Sequence, residues 1–284
     1  MRLKEKIIQK ALFLIAFSAV SILALIAIFI FKEGIPIISK IGLGRFIMGR
    51  SWLPQEKIFG IFPFIMGSIA VTFGALVLGV PLGIACSIFL AEFAPKNLSK
   101  FLKPTIELLA GIPSVVYGFM GVVILAPLIR SYLGGPGFSI LAGSCVLGIM
   151  ILPTIIGISI DAFQAVPKSY KEGSIALGAT QWQTVWMVLL PAARSGIIAA
   201  VILGMGRAIG ETMAVIMVAG NAIKIPHSIL DPVRTLTSNI ALEMGYAMGE
   251  HRQALFATGI ILFIFIMFLN TVANIFVRRR ISED

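Results

Sequence analysis

Arg207 and Glu211 are the residues best able to do chemistry. They lie in Gly204-Met-Gly-Arg-Ala-Ile-Gly-Glu-Thr-Met-Ala214, inside an otherwise apolar block. An arginine near the centre of a bilayer costs about 2.5–3.5 kcal/mol on insertion scales, so it needs a reason to be there. Counted along a helix from Ser195, Arg207 lies about 18 Å in, close to mid-membrane. Four residues separate it from Glu211, so on an unbroken helix the two charges face the same way, one turn apart. Such a pair could simply neutralise itself. It could also form a charged station on a solute path. A guanidinium presents a fork of five donors that matches an oxyanion, and Glu211 could hold it until an anion competes. Thr212 adds a hydroxyl beside the pair. Ser114, just after Pro113 in Glu107-Leu-Leu-Ala-Gly-Ile-Pro-Ser-Val-Val-Tyr-Gly118, is a further path candidate. There the proline breaks a helix and could turn Ser114 or Tyr117 toward a pathway. Glu107 reads as a first-turn carboxylate that suits the helix dipole. Glu92 and Asp161 read as interfacial residues at span ends.

These residues must be held by membrane helices. Of the 284 residues, 58% are hydrophobic and 13% charged, and the mean hydropathy is +1.00. Apolar blocks of about 20 residues or more match a hydrocarbon core of about 30 Å. Six spans are expected, at roughly 11–31, 62–91, 105–129, 138–160, 195–220 and 254–277. The first block is too long for a secretory leader and lacks a small-residue cleavage site. The expected fold is therefore an all-α, polytopic membrane protein with six transmembrane helices. Gly79 and Gly83, and the repeat Gly204, Gly206, Gly210, are spaced to let helices approach closely. Pro81 and Pro153 fall inside spans, where neighbours can satisfy the freed carbonyls.

The net charge of +10 is better explained by topology than by nucleic acid. Thirteen basic residues lie at the two termini and in segments 92–104 and 161–194, against nine in the three opposite loops. That bias puts both termini and segment 161–194 on the cytoplasmic side of the membrane. Cys86 and Cys145 sit in apolar blocks as small core residues. His227 and His251 have no ligand spacing, so no metal site is expected. No Gly-Lys dipeptide occurs, which removes a phosphate-binding loop of the P-loop type. The chain has no catalytic constellation of its own, so an enzyme is not expected.

One cytoplasmic segment stands apart. Glu172-Gly-Ser-Ile-Ala-Leu-Gly178 is polar and glycine-punctuated, and Val188-Leu-Leu-Pro191 follows it. A short helix with small residues could seat in a partner's groove, with a glycine turn and a proline stop fixing its entry into the next span. The segment resembles the coupling motif of binding-protein-dependent ABC importer permeases. Glu172 and Gly178 fall at the family spacing, Gly173 and Ser174 replace two alanines, Val188 stands for isoleucine, and Leu190-Pro191 complete the pattern. The stretches Leu109–Gly118 and Gly206–Ala214 look like those of phosphate importer permeases. Trp52-x-Pro54 with Phe59-Gly-Ile-x-Pro63 is most similar to the PstC-type subunit.

The resemblance implies an ABC permease core of five helices over 62–284, preceded by a span and outer loop over 1–61, with 161–194 as the coupling segment. It implies that Glu172 to Gly178 dock on an ATPase and that Arg207 and Glu211 serve a phosphate route. The implied partners are a homologous second permease of the PstA type, an ATPase dimer of the PstB type that carries ATP and Mg, an external phosphate-binding protein of the PstS type, and membrane lipid. Permeases for molybdate or sulfate, and an ion-driven carrier or channel, remain as alternatives.

Overall fold

A computed structural model describes residues 3–281. Arg2 lies outside the described residues, as do the side chains of Lys4, Lys6 and Arg278 to Arg280. Among the described residues, five helices are long and apolar enough to cross a membrane, or six if a pair bent by 70° counts as one span. The architecture is helical, as expected from the apolar blocks. One small hairpin is added, in which β1 (Trp52–Leu53) pairs antiparallel with β2 (Ile58–Phe59).

The core is built around α3 (Phe62–Ile88) and α7 (Ile140–Gln164). Gly67, Val71, Ala75, Gly79, Gly83 and Ser87 of α3 are all buried and recur every fourth residue. That period draws one narrow stripe down a helix. Because the stripe is made of small residues, α7 can lie in it. A Cβ on Gly79 would meet the Ile151 side chain at 2.7 Å, and one on Gly83 would meet Ile155 at 2.7 Å. Ser144 Oγ donates to the Val71 carbonyl at 3.2 Å across the same seam. On the other side of α7 runs α11 (Arg194–Gly210), where a Cβ on Gly204 would meet Ile155 at 3.0 Å. The expected packing role thus holds for Gly79, Gly83 and Gly204. Gly206 and Gly210 instead face open space.

The first helix, α1 (Leu3–Ile41), has an apolar window with no buried residue. Near its C-terminal end it leans on α14 (Gly249–Ile281). There Gly34 lies against Ala257 and Ile260, Phe29 meets Phe256 edge-on at 5.5 Å, and Lys40 pairs with Glu250. The short α2 (Leu43–Met48) leads into the hairpin.

Trp52 is buried and explains the outer-loop signature. Its indole Nε1 donates to Glu243 Oε2 at 2.8 Å, and its ring packs edge-on against Phe59 and Phe64. Glu243 ends α13 (Leu236–Glu243) and is itself buried. It also receives Arg234 at 2.6 Å and meets His251 Nε2 at 2.7 Å. A buried carboxylate with this set of partners is compensated, so the hub ties the hairpin, α13 and α14 together. Nearby, the backbone N–H groups of His227 and Ser228, with Lys224, hold the Asp231 carboxyl below the usual carboxylate range.

Four expectations about the spans and their ends are corrected. The third span begins at Ser114, and residues 96–110 form a separate helix, α4 (Lys96–Ala110). Its lysines at 96, 100 and 103 fall among apolar positions, giving an amphipathic helix. Pro113 cannot continue it, so the chain breaks at Gly111–Pro113 and restarts as α5 (Ser114–Met120) and α6 (Ala126–Tyr132) around a π-helical turn at 121–125. Glu107 consequently lies exposed in the last turn of α4, opposite to the dipole reading. The fifth span is not one helix over 195–220. It enters through a bent arm and stops at Gly210. Glu92 and Asp161 are not merely interfacial, since each is ion-paired, with Lys171 and Lys103 respectively.

Gly79→Ala is expected to lower stability by about 1–3 kcal/mol through overpacking. Gly206→Ala, which meets nothing, should be neutral or up to about 1 kcal/mol stabilising. Thermal unfolding of the detergent-solubilised protein checks both, and equal midpoints would remove close approach as the basis of the seam.

Candidate functional site

Arg207 is in the last turn of α11, and the helix ends three residues later at Gly210. Glu211 is extended, with φ −68° and ψ 135°, and Thr212 follows with non-helical angles before α12 (Met213–Val218) begins. The two charges therefore do not share a helix face. Glu211 turns away and caps the next helix: its Oε1 accepts from the backbone N–H of Thr212 at 3.1 Å and of Ala214 at 3.3 Å. Its own carbonyl accepts from Thr237 Oγ1 at 2.9 Å. The expected Arg207–Glu211 ion pair is not formed. The cause is local: Gly210 meets no packing that would hold the helix, and free amides at a helix start attract a carboxylate.

Breaking the span explains how it tolerates both charges. A cation is favoured at the carboxyl end of a helix and an anion at the amino end. Arg207 sits at the first kind of end and Glu211 at the second. Arg207 finds a different partner, donating from one terminal nitrogen to Thr154 Oγ1 on α7 at 3.3 Å. Thr154 follows Pro153 and lies one residue before Ile155, the side chain gripped by both glycine notches. No sequence pattern marks Thr154. Arg207 is half-buried, and among the described residues its guanidinium has no carboxylate partner.

The other path candidates are partly gathered. Thr212 Oγ1 donates to the Gly210 carbonyl at 3.3 Å, inside the break. Ser114 opens α5, half-buried, and forms no side-chain hydrogen bond among the described residues. Tyr117 Oη spans the other break by donating to the Leu109 carbonyl at 2.8 Å. α5 and α12 pack together, since a Cβ on Gly118 would meet Ala214 at 3.0 Å. The two breaks thus lie on neighbouring elements. No bond joins Ser114 to Arg207.

The second candidate region is the hairpin formed by α8 (Lys168–Ala176) and α9 (Gln181–Thr184). Glu172 and Gly173 are exposed, and no residue of α8 is buried. Leu177 is 91% exposed. Gly178 turns the chain with φ +85°, a left-handed angle that suits glycine. Thr180 and Gln183 then form a reciprocal capping box that starts α9. Ser174 and Thr184 hydroxyls meet at 3.0 Å and close the hairpin. The arm continues through a π-helical turn at 185–189 into α10 (Leu190–Ala192), with half-buried Leu190 and exposed Pro191, and bends by 70° into α11. A glycine turn and a proline near the bend are what the spacing predicted. A cleft of about 610 Å³ lies along the hairpin, lined by Tyr170, Gly173, Ser174, Leu177, Gln183 and Met187 among others.

A family model described as the binding-protein-dependent transport system inner membrane component matches residues 79–282. The chain belongs to this family. As such an inner membrane component it is a multi-pass transport subunit of a larger import complex, not an enzyme. It is 46% identical over 239 residues to the probable ABC transporter permease protein YqgH of Bacillus subtilis, covering 81% of this chain and 77% of the relative. It is 35% identical over 254 residues to the phosphate transport system permease protein PstC of Pasteurella multocida, covering 82% and 79%. Among solved structures, an inward-facing MetNI methionine ABC transporter superposes with a TM-score of 0.63 at 20% identity, covering 81% of this chain and 99% of that one. The last likeness concerns the fold alone.

Arg207→Gln in this component is expected to lower solute uptake about tenfold, the scale of one charge-assisted hydrogen bond, while the yield of assembled complex stays near wild type. Proteoliposome uptake set against purified-complex yield checks this, and a parallel loss of both would make Arg207 a purely structural residue.

Proposed function

We propose that this chain is the PstC-type permease subunit of an ATP-driven inorganic phosphate importer. Residues 62–284 form the transport core, residues 1–61 supply an accessory span and outer loop, and both termini face the cytoplasm. The partners are a homologous permease of the PstA type, an ATPase dimer of the PstB type that holds ATP and Mg, and an external phosphate-binding protein of the PstS type.

Two kinds of support meet here. The relatives named PstC are about 35% identical over most of this chain. The carrying observation is Arg207, half-buried in a broken span with donors that no carboxylate among the described residues occupies. Phosphate near neutral pH carries between one and two negative charges, and a single guanidinium lowers its desolvation cost without holding it fast. Thr212 and Ser114 would add hydroxyl contacts along the route. Glu211, committed to capping α12, shapes the break and places Thr212.

The coupling set is Glu172, Gly173, Ser174, Gly178, Leu190 and Pro191. Closure of the ATPase dimer on ATP would move the α8–α9 hairpin, and the bent arm would carry that displacement to α11 and Arg207. The core then alternates between inward and outward access, and the external binding protein delivers phosphate to the outward form. A tetrahedral or near-tetrahedral oxyanion such as molybdate or sulfate offers the same chemistry to Arg207, so competition against labelled phosphate uptake decides between them.

Glu172→Lys should leave the subunit folded and assembled yet cut ATP-dependent phosphate uptake about tenfold or more, by inverting the charge that the hairpin presents to its partner. Uptake by the reconstituted complex checks this, and unchanged ATP-dependent uptake would overturn the assignment of this hairpin.

A further inference from the structure

The α8–α9 hairpin is attached to the membrane core in two ways. One is the chain itself, which runs from α7 through residues 165–167 into α8 and from α9 through Pro191 into α11. The other is Glu92, on the π-helical turn Phe89–Phe93 that ends α3. The Glu92 carboxylate accepts from Lys171 Nζ at 2.5 Å. Its backbone carbonyl accepts from the Gln181 side-chain amide at 2.5 Å. Lys171 belongs to α8 and Gln181 to α9, so one residue holds the hairpin on both sides of the Gly178 turn. The next residue, Phe93, meets the Trp182 ring at 6.1 Å.

The environment sets this pair apart. The Glu92 side chain is only 11% exposed and Lys171 39%. The Lys103–Asp161 pair on the same end of the bundle is 36% and 69% exposed, at 3.2 Å. Water screens the second pair and leaves it little weight, whereas the shielded first pair keeps more of its attraction.

The mechanical difference follows from where Glu92 lies. Sequence continuity lets the hairpin push α7 at one end and α11 at the other. The Glu92 contacts make it push α3 as well, and α3 carries the Gly79 and Gly83 notches that hold Ile151 and Ile155 of α7. Thr154, between those two isoleucines, is the Arg207 partner. We propose that Glu92 is a positioning residue for energy coupling: it clasps the hairpin to α3, so that a stroke moves α3 together with α7 and α11. The inference rests on the reading of this hairpin as the segment that meets the ATPase.

The test uses the complete importer with its ATPase and second permease in proteoliposomes, measuring phosphate taken up per ATP hydrolysed. Glu92→Gln is expected to assemble and hydrolyse ATP near the wild-type rate while uptake per ATP falls about tenfold, the scale of one charge-assisted contact. Exchanging the charges, Glu92→Lys with Lys171→Glu, should recover most of the loss, and Asp161→Asn should have no effect. Wild-type uptake per ATP in Glu92→Gln would overturn the proposal. So would an exchange no better than Glu92→Lys alone, or an equal loss in Asp161→Asn. If Glu92→Gln fails to assemble, Lys171→Met applies the same test from the hairpin side. Normal coupling there, or failed assembly in both, refutes the clasp. A wild-type complex whose uptake needs no ATP would instead sink the coupling reading beneath it.

Discussion

Ile155 is held from two sides, by Gly83 of α3 and by Gly204 of α11. In hydrocarbon there is no hydrophobic force to drive one helix against another, so close packing has to supply the attraction. Glycine is the residue that permits it. The three helices touch nearly at their backbones, and a single branched side chain fills the space that the missing Cβ atoms leave. The position of the Arg207 partner follows from this. Thr154 is adjacent to Ile155 on the chain, so the register of α7 in its notches decides whether a hydroxyl meets Arg207. The same tightness makes the three helices poor at deforming and suited to moving as units.

The second constraint is electrostatic. A bilayer tolerates an ionisable side chain only where something compensates it. Here the compensation for the two central charges comes from backbone, because the span is interrupted between them. The carboxyl end of α11 suits the guanidinium, and the exposed amides at the start of α12 suit the carboxylate. Splitting the helix thereby replaces an ion pair with two helix-end interactions and leaves the guanidinium available. Near the β1–β2 hairpin the opposite solution is used. Glu243 is fully engaged by Trp52, Arg234 and His251, a set that locks connecting segments in place and leaves little free charge.

Much of this was legible from residues alone. Apolar blocks gave the spans, the spacing from Glu172 to Pro191 gave an exposed hairpin with a glycine turn, and the cost of burying Arg207 marked the interior site. The interruption at Glu211 was not legible, because four-residue spacing is the same whether or not a helix continues through it. The partner of Arg207 escaped notice for another reason. Thr154 is 53 positions away and is an ordinary residue for an apolar helix. Glu92 and Lys171 are 79 positions apart, and each taken singly resembles a charge at a membrane boundary. The third span was misplaced because α4 is apolar enough on one face to pass for its beginning, until Pro113 is weighed as a terminator.

The π-helical turns at 89–93, 121–125 and 185–189 each accommodate one residue more than an α-helical turn would. Adding or dropping a residue in a helix rotates everything beyond it by about 100°. Two of these turns adjoin the hairpin, one leading to Glu92 and one leading into the bent arm. Chain length in these places is therefore not free to drift in the way it is in most surface connections. An insertion or deletion there would swing whole faces of the bundle out of alignment, so descendants of this sequence should vary in length at their surface loops and stay fixed in length at these three turns.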